Sequence, residues 1–511
     1  MTSTDLGSPP PPPRADPPPP ASPPASAAPW WRLAAPGMVV GAATAWFRLG
    51  HRGLWLDEAY SLGAIHQLRD TLPGTSYTMA AYYLLLRPWM AVSESIWWMR
   101  SLSVIAAVAA VAVTVAVARR LAGAREAALA GVLMALSPLW FAQAREARSY
   151  AFVMLLVALS WLAVDHGLAD GRGRARRWWW AHTAIAVALP LFHGLAVLQL
   201  VPQLGAVLVG RVDRATALRA LRGVGLAVAL TAWLARTASD DVGNWVDPLS
   251  LDQVWFVTGR LTSGWDGVAA VLVGVVLVGV VVAVVSSRRA VAPLARARAL
   301  VPVLWGVGPL VLIALLSVVR PSLVPRYVVG SVAGLALLMA AALARTVGAR
   351  PRWSAARVVG AAAVVVALAA GQVALHDRPL DGWTVAARRV AAGLRPGDTI
   401  LLSREYTTRP PFEAAWRDVD PAAPPQLLPS DRPLGPVRRF EPDETPGTVR
   451  WNEARRAGRI WLVADAHRLE LDRLPHLVVD GVAGRPATHR EVARWRAPRS
   501  AIVVVLLEPV A

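Results

Sequence analysis

The sequence of 511 residues contains no cysteine. This absence excludes disulfide bonds, thiolate nucleophiles and zinc sites built from thiolates. Lysine is also absent, so every long basic side chain is an arginine. Together with the abundant alanine, valine, glycine and proline, this bias favours a GC-rich bacterial genome. No Walker loop, no GxGxxG after a strand and no HExxH occurs in the chain, so the usual signatures of nucleotide-binding enzymes and zinc proteases are missing.

Long apolar stretches are the most prominent feature that the chain does contain. Hydrophobic residues make up 55% of the sequence, and 106–118 and 268–285 read AAVAAVAVTVAVA and VAAVLVGVVLVGVVVAVV. Runs of about 20 such residues can cross a bilayer core of about 30 Å. Because backbone polar groups in lipid must be satisfied within the segment, these runs are predicted to be helices. We therefore predict an all-α polytopic membrane protein.

About eleven transmembrane helices are predicted. They cover roughly residues 33–50, 101–118, 126–142, 150–165, 178–192, 194–210, 223–236, 267–285, 299–319, 327–344 and 356–374. The apolar segment 79–92 contains Arg87 and Pro88, and we interpret it as an amphipathic segment at the membrane interface. If it crossed the membrane instead, the orientation of all later spans would invert.

Arginines divide unevenly between the two sets of alternating loops. The loops after the second, fourth, sixth, eighth and tenth spans hold 19 arginines, against 10 in the other loops. Arginine gathers in cytoplasmic loops, which predicts a multi-pass plasma-membrane protein with a cytoplasmic N-terminus and an extracytoplasmic C-terminus. Arginines beside anionic lipid also explain the formal charge of +19 without nucleic acid as a partner.

Three regions differ in composition. Residues 1–29 are dominated by proline, alanine and serine and are predicted to be a disordered cytoplasmic tail. Residues 30–375 hold the predicted spans. In 376–511, strand-like runs at 398–403, 459–465 and 501–508 and helical patterns at 384–394 and 449–458 predict a small extracytoplasmic α/β domain. The Pro- and Arg-rich stretch 406–447 is predicted to be a loop.

The first candidate motif is HRGLWLDEAYSLG, which occupies 51–63 just after the first span. A carboxylate at the membrane surface, Asp57 or Glu58, can act as a general base on an acceptor. The pair can also hold a divalent cation through oxygen. The alternative is that Asp57 is the N-cap of a helix that starts at Glu58.

The second and third motifs carry arginines at the predicted extracytoplasmic surface of the membrane. The segment 137–152 contains Gln143, Glu146, and Arg145 and Arg148 at a spacing that would place both on one helix face. Arginine pairs with phosphate through two hydrogen bonds. The third motif, RPSLVPRYVVG at 320–330, contains Arg326 beside Tyr327, which suits a lipid phosphate. In the alternative interpretation these arginines extend to the headgroups without binding substrate. His193, on a turn between two spans, is interpreted as structural.

Together these motifs resemble the GT-C superfamily of membrane glycosyltransferases, and most closely glycosyltransferase family 39, the protein mannosyltransferase and aminoarabinose transferase branch. The similar stretches are LWLDEAYS at 54–61, AYYLLLRPW at 81–89, Arg100, REARSYAF at 145–152 and Arg326–Tyr327. The order of the motifs and their side of the membrane match over roughly 35–345. One stretch departs from the family: many relatives have a histidine or an acid just before the tyrosine pair, whereas TSYTMAAYY at 75–83 has neither.

The resemblance implies an inverting transfer from a polyprenyl-phosphate sugar to an extracytoplasmic acceptor. Asp57 would be the base, and Glu58, the other catalytic candidate, or Glu146 could replace the missing acid. The arginines Arg145, Arg148 and Arg326, with Tyr327, would hold the donor phosphate, and Gln143, Glu146 and Tyr82 would bind substrate. Two alternatives stay open: a transporter or lipid flippase, although transporters usually carry ionisable residues within their spans, and a membrane-anchored binding protein whose function lies in 376–511.

Overall fold

A computed structural model describes residues 29–236, 246–262, 266–347, 354–376, 382–402, 405–419, 427–428, 457–465, 488–498 and 500–510. This part of the chain contains nineteen α-helices and five β-strands. The helices form one large apolar bundle, and the strands form a single sheet near the C-terminus. The predicted fold class, an all-α polytopic membrane protein with a small C-terminal α/β part, is therefore confirmed.

The helices up to residue 235 surround the candidate motifs. They are α1 (Trp30–Trp46), α2 (Leu56–His66), α3 (Leu68–Gly74), α4 (Ala80–Met90), α5 (Ile96–Leu121), α6 (Ala124–Leu136), α7 (Pro138–Ala144), α8 (Tyr150–Ala169), α9 (Arg172–Phe192), α10 (Val201–Val209) and α11 (Arg214–Ala235). A 3-10 turn, Gly194–Gln199, joins α9 to α10.

The remaining helices of the bundle are α12 (Leu251–Thr262), α13 (Asp266–Arg289), α14 (Pro293–Gly306), α15 (Gly308–Val319), α16 (Ser331–Val347) and α17 (Ser354–His376). A short 3-10 turn, Pro325–Val328, precedes α16. Where α14 crosses α16 the backbones nearly touch, because a Cβ on Gly334 would lie 2.2 Å from the backbone nitrogen of Gly306. Such close crossings between small residues are typical of helices packed within a membrane.

Each predicted span falls on one of these helices or on a pair of them. By length and composition, five described helices can cross a membrane alone, and seven spans result if each of two bent pairs counts as one. The bends are 62° between α6 and α7 and 44° between α14 and α15. A proline lies in the first turn of both α7 and α15, where it removes a hydrogen bond to the preceding turn and so favours the bend.

The segment between α1 and α5 leaves and returns on the same face of the bundle. Arg100, in the first turns of α5, donates hydrogen bonds to the carbonyls of Leu49, Arg52 and Gly53, which follow the end of α1. The end of α1 and the start of α5 are therefore adjacent. Within this segment α4 has 11 residues and a length of about 16 Å, too short to cross a bilayer. This agrees with the predicted interfacial position of 79–92.

The opposite end of the bundle is held by a buried charge cluster. Asp165, near the end of α8, pairs with Arg120 at the end of α5 and with Arg298 in α14. These two ion pairs connect three helices at the end of the bundle that lies away from α2. The two ends of the bundle therefore carry different polar groups.

The C-terminal part consists of α18 (Trp383–Gly393), β1 (Thr399–Leu402), α19 (Glu405–Val419), β2 (Leu427–Leu428), β3 (Ile460–Asp465), β4 (His489–Arg496) and β5 (Ile502–Pro509). The strand order is β2-β1-β3-β5-β4; β1 is parallel to β2 and β3, and β5 is antiparallel to β3 and β4. Both helices bury apolar side chains against this sheet.

One local prediction in this part was wrong, and one strand was not predicted. The stretch 406–447 was predicted to be a loop, but α19 occupies its first residues and includes Pro410 and Pro411. The helix forms because Phe412, Ala415 and Trp416 bury one apolar stripe in the core of the α/β part. β4 was not predicted, since its sequence HREVARWR is mostly charged and exposed. Residues 1–28 of the predicted tail (1–29) and most of the predicted helix 449–458 lie outside the described residues.

The α/β part stands on the face of the bundle that carries α2. Helix α19 packs against α2, and Arg52 donates a hydrogen bond of 2.9 Å to the carbonyl of Leu375 at the end of α17. Thr384, in the first turn of α18, lies so close to Gly53 that a Cβ there would be 2.4 Å from its hydroxyl oxygen. The first motif is therefore covered by the C-terminal part.

Candidate active site

Helix α2 begins two residues earlier than the capping interpretation requires. Its first residue is Leu56, and Trp55 is the N-cap. Asp57 is therefore the second residue of the helix, and the alternative in which it caps a helix starting at Glu58 was wrong. The backbone N–H of Trp55 lies 3.5 Å from Glu58 Oε2, so the side chain that reaches back to the helix start is Glu58. Asp57 is left to face other groups.

Glu58 forms a buried ion pair with Arg100. Arg100 Nε donates to Oε1 at 2.8 Å and Nη2 donates to Oε2 at 2.6 Å, and both side chains are almost fully buried. Oε1 also accepts the backbone N–H of Ala147 at 2.8 Å. Glu58 thus joins three segments of chain: α2, the start of α5 and the turn 145–149. Both carboxylate oxygens of Glu58 are therefore engaged in contacts that hold these segments together.

The turn 145–149 separates the two arginines of the second motif. We expected Arg145 and Arg148 to share a helix face, but α7 ends at Ala144 and the following residues form a tight turn. Arg145 donates to the carbonyls of Thr44, Phe47 and Arg48. It therefore binds the C-terminal end of α1, where unpaired carbonyls favour a cation. The structure does not bring Arg145 together with the other candidate arginines.

Arg148 lies against α2 instead. Its Nη1 donates to the carbonyl of Asp57 at 3.0 Å and to Ser61 Oγ at 3.2 Å. Its Nη2 is 3.8 Å from Asp57 Oδ2. The Arg148 side chain is 2% exposed, whereas the Asp57 side chain is 13% exposed. Arg148 thereby fixes both the backbone and the carboxylate of Asp57.

Arg326 approaches the same carboxylate from another part of the chain. Its Nη1 is 3.7 Å from Asp57 Oδ2, and its side chain is 21% exposed. The 3-10 turn Pro325–Val328 presents it beside Trp55, whose ring centroid is 5.7 Å from the guanidinium carbon. Residues 57, 148 and 326, far apart in sequence, thus converge on one partly exposed carboxylate between two guanidinium groups. Such a cluster can hold an anion and can accept or stabilise a proton.

A cluster of three tilted aromatic rings lies at the Arg326 turn. The ring of His193, at the end of α9, lies 4.7 Å from that of Tyr327 and 5.4 Å from that of Tyr150. The structure therefore brings His193 to the border of the site. His193 was predicted from the sequence to lie on a turn between two spans and to be structural, but its contact with Tyr327 was not predicted.

Glu146 is the second carboxyl group at this site. It is 8% exposed, and its Oε2 is buried without a hydrogen-bond partner in the described part of the chain. Burial, followed by the charges of Glu58 and Asp57, raises the pKa of Glu146 to about 8, although Arg326 and Arg148 oppose this shift. At neutral pH this carboxyl is therefore mostly protonated.

The other two predicted substrate-binding residues are buried. Tyr82 is fully buried and makes edge-to-face contacts with the rings of Tyr83 and Phe152, an arrangement typical of a packed core. Gln143, in α7, is 5% exposed, and its Oε1 has no hydrogen-bond partner among the described residues. Gln143 thus retains an unused acceptor, and the Tyr82 hydroxyl is likewise buried without a hydrogen-bond partner among the described residues.

The site does not offer Asp57 and Glu58 to one cation. Their carboxylates have different guanidinium partners, because both Glu58 oxygens bind Arg100 while Asp57 faces Arg148 and Arg326. In the described ranges, no group of three or more His, Asp or Glu side chains is placed to hold a metal ion.

Comparison with known proteins gives a fold but no close relative. No family model matches the chain, and no curated protein matches it. ArnT from Cupriavidus metallidurans in the apo state is similar with a TM-score of 0.54 and 17% identity, over 93% of this chain and 97% of that one. ArnT bound to undecaprenyl phosphate gives a TM-score of 0.52 and 15% identity over the same shares.

A second solved structure supports the same likeness. The oligosaccharyltransferase of Archaeoglobus fulgidus, in complex with Zn and sulfate, has a TM-score of 0.53 and 12% identity, over 85% of this chain and 68% of that one. Identities this low establish similarity of fold, and the fold agrees with the resemblance that the motifs carry. The chain therefore has the fold of the GT-C membrane glycosyltransferases.

Proposed function

We propose that the protein is a membrane glycosyltransferase that moves a hexose or pentose from a polyprenyl-phosphate donor to an extracytoplasmic acceptor. The fold is that of ArnT, one structure of which is bound to undecaprenyl phosphate. The observation that carries the proposal is the position of Asp57: its carboxylate lies within 4 Å of two guanidinium groups on the face covered by the α/β part. A base next to an anion site is what transfer from a phosphate-linked sugar needs.

Asp57 and the two arginines have complementary roles in this proposal. Arg148 and Arg326, with Tyr327 beside them, bind the donor phosphate and stabilise it as the leaving group. The bound phosphate then shares their positive charge, so that the Asp57 carboxylate can accept a proton. Asp57 takes the proton from the acceptor hydroxyl or amine, whose oxygen or nitrogen attacks the anomeric carbon as the bond to the phosphate oxygen breaks. A single displacement of this kind inverts the anomeric centre.

The remaining candidate residues have supporting roles around Asp57 and the two arginines. Gln143 and Glu146 contribute polar groups for the sugar or the acceptor, since each has a buried oxygen without a partner in the described part of the chain. Tyr82, whose hydroxyl is also buried without a hydrogen-bond partner among the described residues, offers a third such group. Arg145 and Glu58 position the end of α1 and the start of α2, respectively.

The topology proposed from arginine counting completes the assignment. It places the site, and residues 376–511 above it, outside the cytoplasm of a bacterial cell. The acceptor is then a cell-envelope glycan, lipid or protein. Contact of α19 with α2 supports a position for the α/β part from which it can restrict or guide the acceptor.

Deletion of the gene tests this function directly. Lipid-linked sugars and envelope glycans would be profiled by mass spectrometry in the deletion strain and in the strain complemented with the wild-type gene. We expect one glycan modification to disappear and one lipid-phosphate sugar to accumulate, and complementation to reverse both. Unchanged profiles of both classes would reject the proposal.

A further inference from the structure

We propose that Glu146 works as a neutral carboxylic acid whose O–H donates a hydrogen bond to a substrate oxygen, and that its lack of charge lets the site bind the donor phosphate. This inference rests on the proposed function and adds a specific chemical state to one residue of the site. It also accounts for a buried oxygen that the described chain leaves unsatisfied.

The location of Glu146 provides the first argument. The residue lies in the turn 145–149, between α7 and α8 and outside the helical spans, two residues before Arg148. Its Oε2 is buried and makes no hydrogen bond within the described residues. Buried polar atoms are nearly always hydrogen-bonded, and an exception at a site indicates a partner supplied by ligand or water. The ligand class that fits is a sugar or acceptor bearing hydroxyl oxygens.

The charges around Glu146 provide the second argument. From α2 it faces the carboxylates of Asp57 and Glu58, from the turn before α16 the guanidinium of Arg326, and in its own turn that of Arg148. Glu58 is neutralised by its ion pair with Arg100. Asp57 offsets one of the two site arginines, which leaves one net positive charge for a phosphate. An ionised Glu146 would cancel that charge and repel the donor.

The protonation state follows from the surroundings. Burial, together with the two neighbouring carboxylates, raises the pKa of Glu146 to about 8. The folded protein therefore keeps a proton on Glu146 between its ordinary pKa of 4.5 and about 8, whereas the unfolded chain has lost it. Because the folded state binds more protons in this interval, its stability falls as the pH rises towards 8 and then levels off.

Binding of undecaprenyl phosphate to full-length protein in nanodiscs tests the inference. Wild type should lose affinity about tenfold between pH 7 and pH 9, since the protonated fraction of Glu146 falls by that factor. Glu146→Gln is neutral at every pH and keeps an N–H donor, so it should bind like wild type at pH 7 and lose nothing at pH 9. The matched control is Glu94→Gln, at an exposed position outside the helices, which should keep the wild-type fall.

A second readout needs no ligand. The difference in thermal unfolding temperature between Glu146→Gln and wild type should widen from pH 5 to pH 8. If it does not widen, or if Glu146→Gln binds tenfold more weakly at pH 7, Glu146 acts as a charged group and the inference is wrong. If the difference widens but wild type binds no undecaprenyl phosphate at any pH, the proposed function fails while the proton on Glu146 is upheld.

Discussion

The ion pair between Glu58 and Arg100 should determine whether the site forms at all. The guanidinium of Arg100 makes five hydrogen bonds: two to the Glu58 carboxylate and three to the carbonyls of Leu49, Arg52 and Gly53. These use its full donor capacity. Glu58→Gln removes the negative charge and one of the two charge-assisted bonds while it keeps the size of the side chain. Arg100 would then remain buried without a counter-ion.

The cost of this change can be estimated from the burial of the pair. Removing one partner of a buried ion pair typically destabilises a protein by about 3–5 kcal/mol, because the other charge is left uncompensated. At about 1.4 kcal/mol per tenfold change, this shifts the folded-to-unfolded ratio by roughly 10²–10⁴. An exposed ion pair contributes at most about 1 kcal/mol. The bidentate pair between Glu491 and Arg494, of which Arg494 is 44% exposed, provides the matched control.

Thermal unfolding of the purified protein in detergent measures the difference. We expect Glu58→Gln to unfold far below wild type, and Glu491→Gln to unfold near it. Donor turnover, measured well below the unfolding temperature, should fall in proportion to the folded fraction. If Glu58→Gln is as stable as Glu491→Gln but has lost turnover, Glu58 acts in the chemistry and its structural assignment is wrong.

Two further predictions concern the arginines and the topology. Arg326→Lys should lose most donor use at saturating acceptor, because lysine lacks the planar fork that pairs with phosphate. The control variant Arg145→Lys should lower thermal stability with little change in KM for the donor. Equal donor kinetics in Arg326→Lys and wild type would remove Arg326 from the site. Dual reporters fused after Arg177, Arg289 and Ala511 should report inside, inside and outside, and reporters outside at the first two positions would reverse the proposed orientation.

Many of the helices can be predicted from the sequence because membrane spans require long apolar runs. The prediction that 79–92 does not cross rests on a similar argument: Arg87 and Pro88 interrupt a short apolar run, and the helix there, α4, has only 11 residues. The failure at 405–419 has the opposite cause. There two prolines suggested a break, but the burial of Phe412 and Trp416 outweighs their local effect.

The contacts of the candidate site residues could not be predicted from the sequence alone. Asp57 and Glu58 are adjacent acids with equal claims to a catalytic role, and only the packing of Arg100 against one of them separates their contacts. Likewise, the spacing of Arg145 and Arg148 suggested a shared face, whereas the end of α7 turns them towards different partners. Such distinctions depend on tertiary contacts between segments more than 40 residues apart.

Donor turnover by Asp57→Asn tests the central claim most directly. The Asp57 side chain is partly exposed and its carboxylate lies 3.7 and 3.8 Å from two guanidinium groups, so an amide of the same shape should destabilise the protein less than Glu58→Gln, whose ion pair with Arg100 is almost fully buried. Asparagine cannot accept a proton as a general base, and loss of such a base costs about 10²–10⁴-fold in rate. The assay uses protein in liposomes with the lipid-phosphate sugar that accumulates in cells lacking the gene. We predict a folded Asp57→Asn variant with turnover reduced by that factor, and turnover equal to wild type would contradict the catalytic role of Asp57.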